Sequence, residues 1–178
     1  MTNRIAHSFD AIDLEALSDA ELAVFARLDV SKEQEDFGGT FLGSVEEWKR
    51  VPDSNTYGLA FFIRGRTPAG MVLLKRPPAS PSWTPNDAVS LHGLKISREF
   101  QGRGLGRFAL QLAIEMAKAR WPDATKLVLA VDAENVAALT LYRRFGMSDS
   151  GPVFEGRVGL EHRLELSLPF KTQASLTP

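Results

Sequence analysis

Ser90-Leu-His-Gly-Leu-Lys-Ile-Ser-Arg-Glu-Phe-Gln-Gly-Arg-Gly-Leu-Gly106 decides how the rest of this sequence is read. It opens as a strand, with apolar Leu91, Leu94 and Ile96 bounded by turn formers. A glycine-rich turn follows and leads straight into a helical pattern. Leu105, Phe108, Ala109, Leu112, Ala113, Met116 and Ala117 recur at the spacing of one core-facing stripe. The first turn of a helix leaves backbone N–H groups without intrahelical acceptors, and the helix dipole adds partial positive charge there. Strand, glycine turn and helix N-terminus therefore form a candidate anion site, most often used for phosphate. Arg103 and Arg107 add fixed charge beside it. A tight turn that needs glycine only for its geometry carries the same local signature.

The pattern around the turn narrows the choice. Gln101-Gly-Arg-Gly104-Leu-Gly106 fits Gln/Arg-x-x-Gly-x-Gly/Ala. One helix and one strand later comes Asn135-Val-Ala-Ala138-Leu-Thr-Leu141-Tyr142-Arg-Arg-Phe145-Gly146-Met147, which fits Asn-x-x-Ala-x-x-Leu-Tyr followed by Phe/Leu-Gly-Phe/Met. With both motifs in order, residues 88–147 resemble the GNAT superfamily of acyl-CoA N-acyltransferases. The resemblance is looser outside that span.

Composition sets bounds on the class. The 178 residues suit one domain, expected over 1–170, with a loose tail at 171–178. A net charge of −1 predicts no general attraction to nucleic acid or to an anionic membrane. Cysteine is absent, which excludes disulfides, thiolate metal sites and a cysteine nucleophile, and no metal is expected. No apolar run is long enough to span a bilayer, and the N-terminus lacks the apolar stretch of a signal peptide, so a cytoplasmic protein is expected.

Residues 5–9 read as a short first strand. Ser18-Asp-Ala-Glu21 has capping-box spacing and predicts a helix over residues 19–28. Residues 31–43 are polar, then glycine- and aromatic-rich, and read as an acidic connecting loop. Ser44-Val-Glu-Glu47 opens a further capped helix ending before Pro52. Residues 57–63 and 69–75 form a hairpin around Arg64-Gly-Arg-Thr-Pro68. Residues 76–87 hold four prolines and make no regular element. Leu127-Val-Leu-Ala-Val131 is continuously apolar, as suits a strand covered on both faces, so strand, helix and strand make a right-handed parallel βαβ unit. Two closing strands, 147–154 and 160–168, complete the chain. The predicted architecture is α+β: a GNAT-like mixed, mostly antiparallel sheet with one central parallel pair and about four helices packed on it.

The resemblance implies roles for particular residues. The loop Gln101, Gly102, Arg103, Gly104, Leu105 and Gly106, with Arg107, holds the pyrophosphate of acetyl-CoA. The central strand splays from its parallel neighbour, freeing the backbone of Leu94, Lys95 and Ile96 for pantetheine, with the Ile96 N–H near the thioester oxygen. Asn135 reaches the pantetheine arm while capping its helix, and Ala138 belongs to the same signature. Tyr142 protonates the leaving thiolate, since a phenol with a pKa near 10 keeps its proton at neutral pH.

His92 is the candidate general base, with an intrinsic pKa around 6.5. Regular strand alternation puts it on the same side as Leu94 and Ile96, a parity that a bulge would break. The Leu-His-x-Leu run is similar to the arylalkylamine acetyltransferase branch, which carries a second histidine where this chain has Ser90. The segment joining the first two helices usually walls the acceptor site in the family. Phe37, Phe41 and the neighbouring carboxylates are therefore expected to suit a cationic, partly apolar amine, with Trp83 folding over it.

The expected function is transfer of an acetyl group from acetyl-CoA to a primary amine of a small molecule, directly within a ternary complex. The protein is expected to be a monomer or homodimer. The alternatives are acetylation of a protein N-terminus or lysine, and a non-catalytic acyl-CoA sensor. Residues 104–109 also fit a degenerate dinucleotide pattern, but Arg98–Gly102 separates strand from glycine and only one βαβ unit exists.

Overall fold

The computed structural model describes residues 9–50, 54–156 and 158–168. One seven-stranded sheet carries the fold, in the spatial order β1-β2-β3-β4-β5-β7-β6. These strands are β1 (Phe9–Asp13), β2 (Thr56–Ile63), β3 (Thr67–Lys75), β4 (Ala88–Ile96), β5 (Lys126–Asp132), β6 (Ser148–Glu155) and β7 (Leu160–Ser167). Every neighbouring pair is antiparallel except β4 and β5, which run parallel through the crossover helix. The α+β architecture is thus the one the sequence predicts.

Two helical layers cover the two faces. On one face lie α1 (Asp19–Phe25), α2 (Lys32–Gly38) and α3 (Phe41–Arg50). Leu22, Phe25, Phe41 and Val45 pack there against Ala60, Phe62, Met71 and Leu73. On the other face, α4 (Leu105–Arg120) and α5 (Val136–Phe145) pack Ala109, Ala113, Leu139 and Phe145 against Phe61, Val72, Leu74, Leu91, Leu127 and Leu129. Strand alternation sorts the apolar residues of β2 and β3 between these two cores.

The helices depart from the sequence reading at two places, each for a physical reason, and the first strand is described only in part. The first strand is Phe9–Asp13, and residues 5–8 of the expected strand lie outside the described residues. The Ser18 capping box forms, with Ser18 N–H donating to Glu21 Oε2 at 2.9 Å and Glu21 N–H to Ser18 Oγ at 3.3 Å. The α-helix it starts ends at Phe25, and Arg27 and Leu28 continue in tighter i→i+3 bonds. Finally, the expected loop at 31–43 holds α2 and the start of α3. Ser31 caps α2 by accepting from Gln34 N–H at 3.3 Å. Thr40, not Ser44, caps α3, accepting from Gly43 N–H at 3.0 Å, because Phe41 must enter the core. The expected tail at 171–178 lies outside the described residues. Among the described residues, no helix is long and apolar enough to cross a membrane.

Candidate functional site: the parting of β4 and β5

The parallel pair is short. Ala88, Val89 and Ser90 pair with Lys126, Leu127 and Val128, and beyond Ser90 the two strands part. Leu91 to Ile96 therefore has no β5 neighbour, and β5 from Leu129 onward pairs only with β7. The splay opens a cleft of about 470 Å3 between the end of β4, the glycine turn and α5. That volume suits a small-molecule ligand.

The glycine turn closes one end. Gly104 is the N-cap of α4 at φ 77°, a left-handed conformation that glycine adopts without strain, and no side chain caps the helix there. A Cβ built on Gly102 or Gly104 meets nothing within 4 Å, so the backbone faces open space where an anion can approach. Gln101 fixes the turn by donating from Nε2 to the Ile96 carbonyl at 2.8 Å, and to Gln34 of α2. Arg107 lines the cleft with its guanidinium 5.2 Å from the Phe145 ring centroid. Arg103 turns away, stacking over Phe100 at 5.6 Å. It is the one member of the expected cradle that does not line the cleft.

Leu94, Lys95, Ile96, Asn135, Ala138 and Tyr142 all line the cleft. Asn135 caps α5, its Oδ1 accepting from Ala138 N–H at 3.1 Å. Tyr142 is 6% exposed, and burial alone raises its phenol pKa well above the ordinary tyrosine value. It keeps its proton through the physiological range.

His92 does not follow the expected parity. Lys95 stands opposite Met71 and His92 opposite Leu73, so three residues of β4 span two of β3. The extra residue makes a bulge, and Gly93 at φ 56° supplies the left-handed turn it needs. Directly opposed residues share a face. His92 and Lys95 therefore face the α1–α3 layer with Met71 and Leu73, while Leu94 and Ile96 pack on the α4 side.

His92 does not line the cleft; its Nε2 lies 2.7 Å from Ser90 Oγ. Ser90 Oγ donates to the Lys75 carbonyl at 3.2 Å, which leaves it accepting from a protonated His92 Nε2. Burial, then the Lys75 charge, lowers the His92 pKa to about 4, against the opposing pull of Glu47.

The same layer holds a buried polar cluster that the sequence reading does not anticipate. Lys75 Nζ forms an ion pair with Glu47 of α3. Lys95, which lines the cleft between Leu94 and Ile96, folds its side chain back under the bulge. Its Nζ donates to Ser44 Oγ at 2.6 Å and to the Gly93 carbonyl at 3.2 Å.

The expected acceptor residues separate. Phe41 is 0% exposed and belongs to the core under α3, so it is not a wall of any site. Phe37, half-buried at the end of α2, lines a neighbouring recess of about 210 Å3 with Asp132, Glu134 and Leu160. Trp83 packs near Phe154, and the Arg163 guanidinium lies 4.6 Å from the Trp83 ring centroid. That contact pins the proline-rich loop to the sheet. Val30 and Gln34 line the cleft without having been singled out. Their signal was present, since Ser31-x-x-Gln34 has capping-box spacing and marks a helix whose Gln34 reaches Gln101.

A parallel strand pair that parts beside a glycine turn opening a helix is the arrangement expected of the family that the two motifs resemble. The Acetyltransferase (GNAT) family matches residues 20–147, and the chain belongs to that family. A Bacillus subtilis (strain 168) protein provisionally named a ribosomal protein bS18-alanine N-acetyltransferase is 33% identical over 69 residues. That alignment covers 39% of this chain and 44% of the relative. Among solved structures, a spermidine N-acetyltransferase from Vibrio cholerae in complex with CoA and spermine superposes with a TM-score of 0.68 at 17% identity, covering 90% of this chain and 96% of that one. Aminoglycoside acetyltransferase AAC(6')-Ib in complex with coenzyme A gives 0.69 at 15% identity, covering 90% and 95%. At these identities the likeness is one of fold.

Proposed function

We propose that this protein transfers an acetyl group from acetyl-CoA to a primary amine of a small molecule, directly within a ternary complex. The observation that carries the reading is the parting of β4 and β5 after Ser90, which makes a cleft that ends on the open backbone of Gly102 and Gly104. The donor's phosphates bind the free N–H groups at the start of α4, with Arg107 beside them. The pantetheine arm lies along Leu94 to Ile96 and reaches Asn135. Tyr142 protonates the departing thiolate, a role its burial suits because the phenol stays neutral. The acceptor amine approaches from the α1–α3 face. His92 lies on that face, but as a base it is weak, its conjugate acid being pulled down to about 4. Named small-amine acetylation by the fold neighbours supports the acceptor class.

A protein N-terminus is the second reading, favoured by the name of the Bacillus relative. Acetyl-CoA-dependent thiol release over polyamines, arylalkylamines, amino acids, aminoglycosides and short peptides tests both. Turnover of a small amine with blank peptides establishes the first, and the reverse pattern the second. A blank panel in which acetyl-CoA still raises the Tm turns the reading to a sensor. No thermal shift at all overturns the donor site.

A further inference from the structure

We propose that Lys95 is the proton acceptor for the incoming ammonium group, a role that rests on the acetyltransferase reading above. Lys95 lines the donor cleft and His92 does not. Beyond Ser90, where β4 has parted from β5, the Lys95 side chain folds onto the α1–α3 layer, its Nζ reaching Ser44 of α3 and the Gly93 carbonyl of the bulge. Its residue is only 5% exposed, and both hydrogen-bond partners are neutral: the Ser44 hydroxyl and the Gly93 carbonyl. Among the described residues no carboxylate lies within ion-pair distance of it. A buried ammonium without a counter-ion is costly, and releasing the proton removes that cost.

The carboxylate that acts on it is tied elsewhere, and the nearby imidazole is neutral. Glu47, from α3, favours the charged form but is held by Lys75 of β3. His92, on β4 itself, is bonded to Ser90. The balance leaves the Lys95 pKa at about 8, lowered by burial against the pull of Glu47. An amine of pKa near 10 passes its proton to such a group at an equilibrium cost of about a hundredfold. Passing it to His92, at about 4, costs about a millionfold.

The protons balance. The acceptor ammonium gives one proton to neutral Lys95, and the freed amine attacks the thioester carbon. The N–C bond forms, the C–S bond breaks, and the thiolate takes the Tyr142 proton. The second nitrogen proton restores Tyr142, and Lys95 releases its own to solvent.

The test compares the wild type with Lys95→Met and Lys95→Arg on whichever panel amine the wild type acetylates fastest. Methionine keeps the buried volume without the charge, so the Tm should hold and acetyl-CoA Kd should change less than about threefold. The kcat should fall about a hundredfold or more, and arginine, which cannot lose its proton, should not restore it. In the wild type, log kcat/KM should rise to a break near pH 8 that Lys95→Met lacks. Independently, 13C-methylation of lysines should yield one NMR resonance, lost in Lys95→Met, that titrates near pH 8. A resonance titrating near 10, rescue by arginine, or a break retained in Lys95→Met each overturns the proposal. Wild-type turnover with these failures removes Lys95 alone, whereas a wild-type blank across the panel removes the acetyltransferase reading with it.

Discussion

The Gln101 side-chain amide donates to the Ile96 carbonyl across 2.8 Å, joining the glycine-rich turn to the last residue of β4. Two walls of the cleft are thus held at a set distance by one bond. The same amide reaches Gln34 of α2, so the turn is tied to the α1–α3 layer as well.

Gln101→Ala removes both ties and frees the turn without touching the reacting atoms. The KM for acetyl-CoA should rise about five- to thirtyfold, matching one or two lost hydrogen bonds of about 1 kcal/mol each, while kcat stays within about twofold. Steady-state kinetics with acetyl-CoA varied reads both. An unchanged KM would show that the turn holds its shape unaided.

Tyr142→Phe keeps the buried ring and removes the hydroxyl. Acetyl-CoA binding by calorimetry should be retained, and kcat should fall about a hundredfold. Because burial raises the phenol pKa above its ordinary value, wild-type kcat should show no loss through pH 10 from this group. Unchanged kcat in the phenylalanine variant would remove Tyr142 from the acid role.

His92 ties stability to acid. Its folded pKa is about 4 against 6.5 in the unfolded chain, so between those values the unfolded state binds the extra proton. Stability therefore falls as pH drops from 6.5 toward 4, by at most about 3 kcal/mol from this group. Denaturant melts of wild type and His92→Gln across that window should converge in stability at the acid end. Parallel curves would mean the imidazole is not buried neutral.

Phe41→Ala separates core from site. Truncating a fully buried phenylalanine under α3 should cost about 3–5 kcal/mol. The acceptor KM of the folded fraction, measured well below the Tm, should stay within about twofold. A large KM change with little loss of stability would return Phe41 to the acceptor wall.

The lining of the cleft was legible because its geometry is local. The Gln101–Gly106 turn, the Asn135 cap and Tyr142 each lie within one motif, and a glycine turn entering a helix presents its N–H groups whatever surrounds it. The fates of Phe37 and Phe41 were not legible. Phe37 and Phe41 are four residues apart in an acidic, aromatic stretch, yet α2 and α3 send one to a recess and the other into the core. Nothing in the stretch itself distinguishes those fates.

By itself, the order of strands, capped helices and the single parallel crossover determined the α+β sheet and the position of the cleft. Those depend on periodicity and short-range backbone bonding. The face presented by His92 and Lys95 was decided by the tertiary structure alone. Side chains alternate with a period of two, so one extra residue at the Gly93 bulge exchanges the faces of everything beyond it. That bulge exists only as a mismatch between β4 and β3. The altered proton affinities of His92 and Lys95 follow from the helical layer that buries them, which no local stretch of sequence encodes.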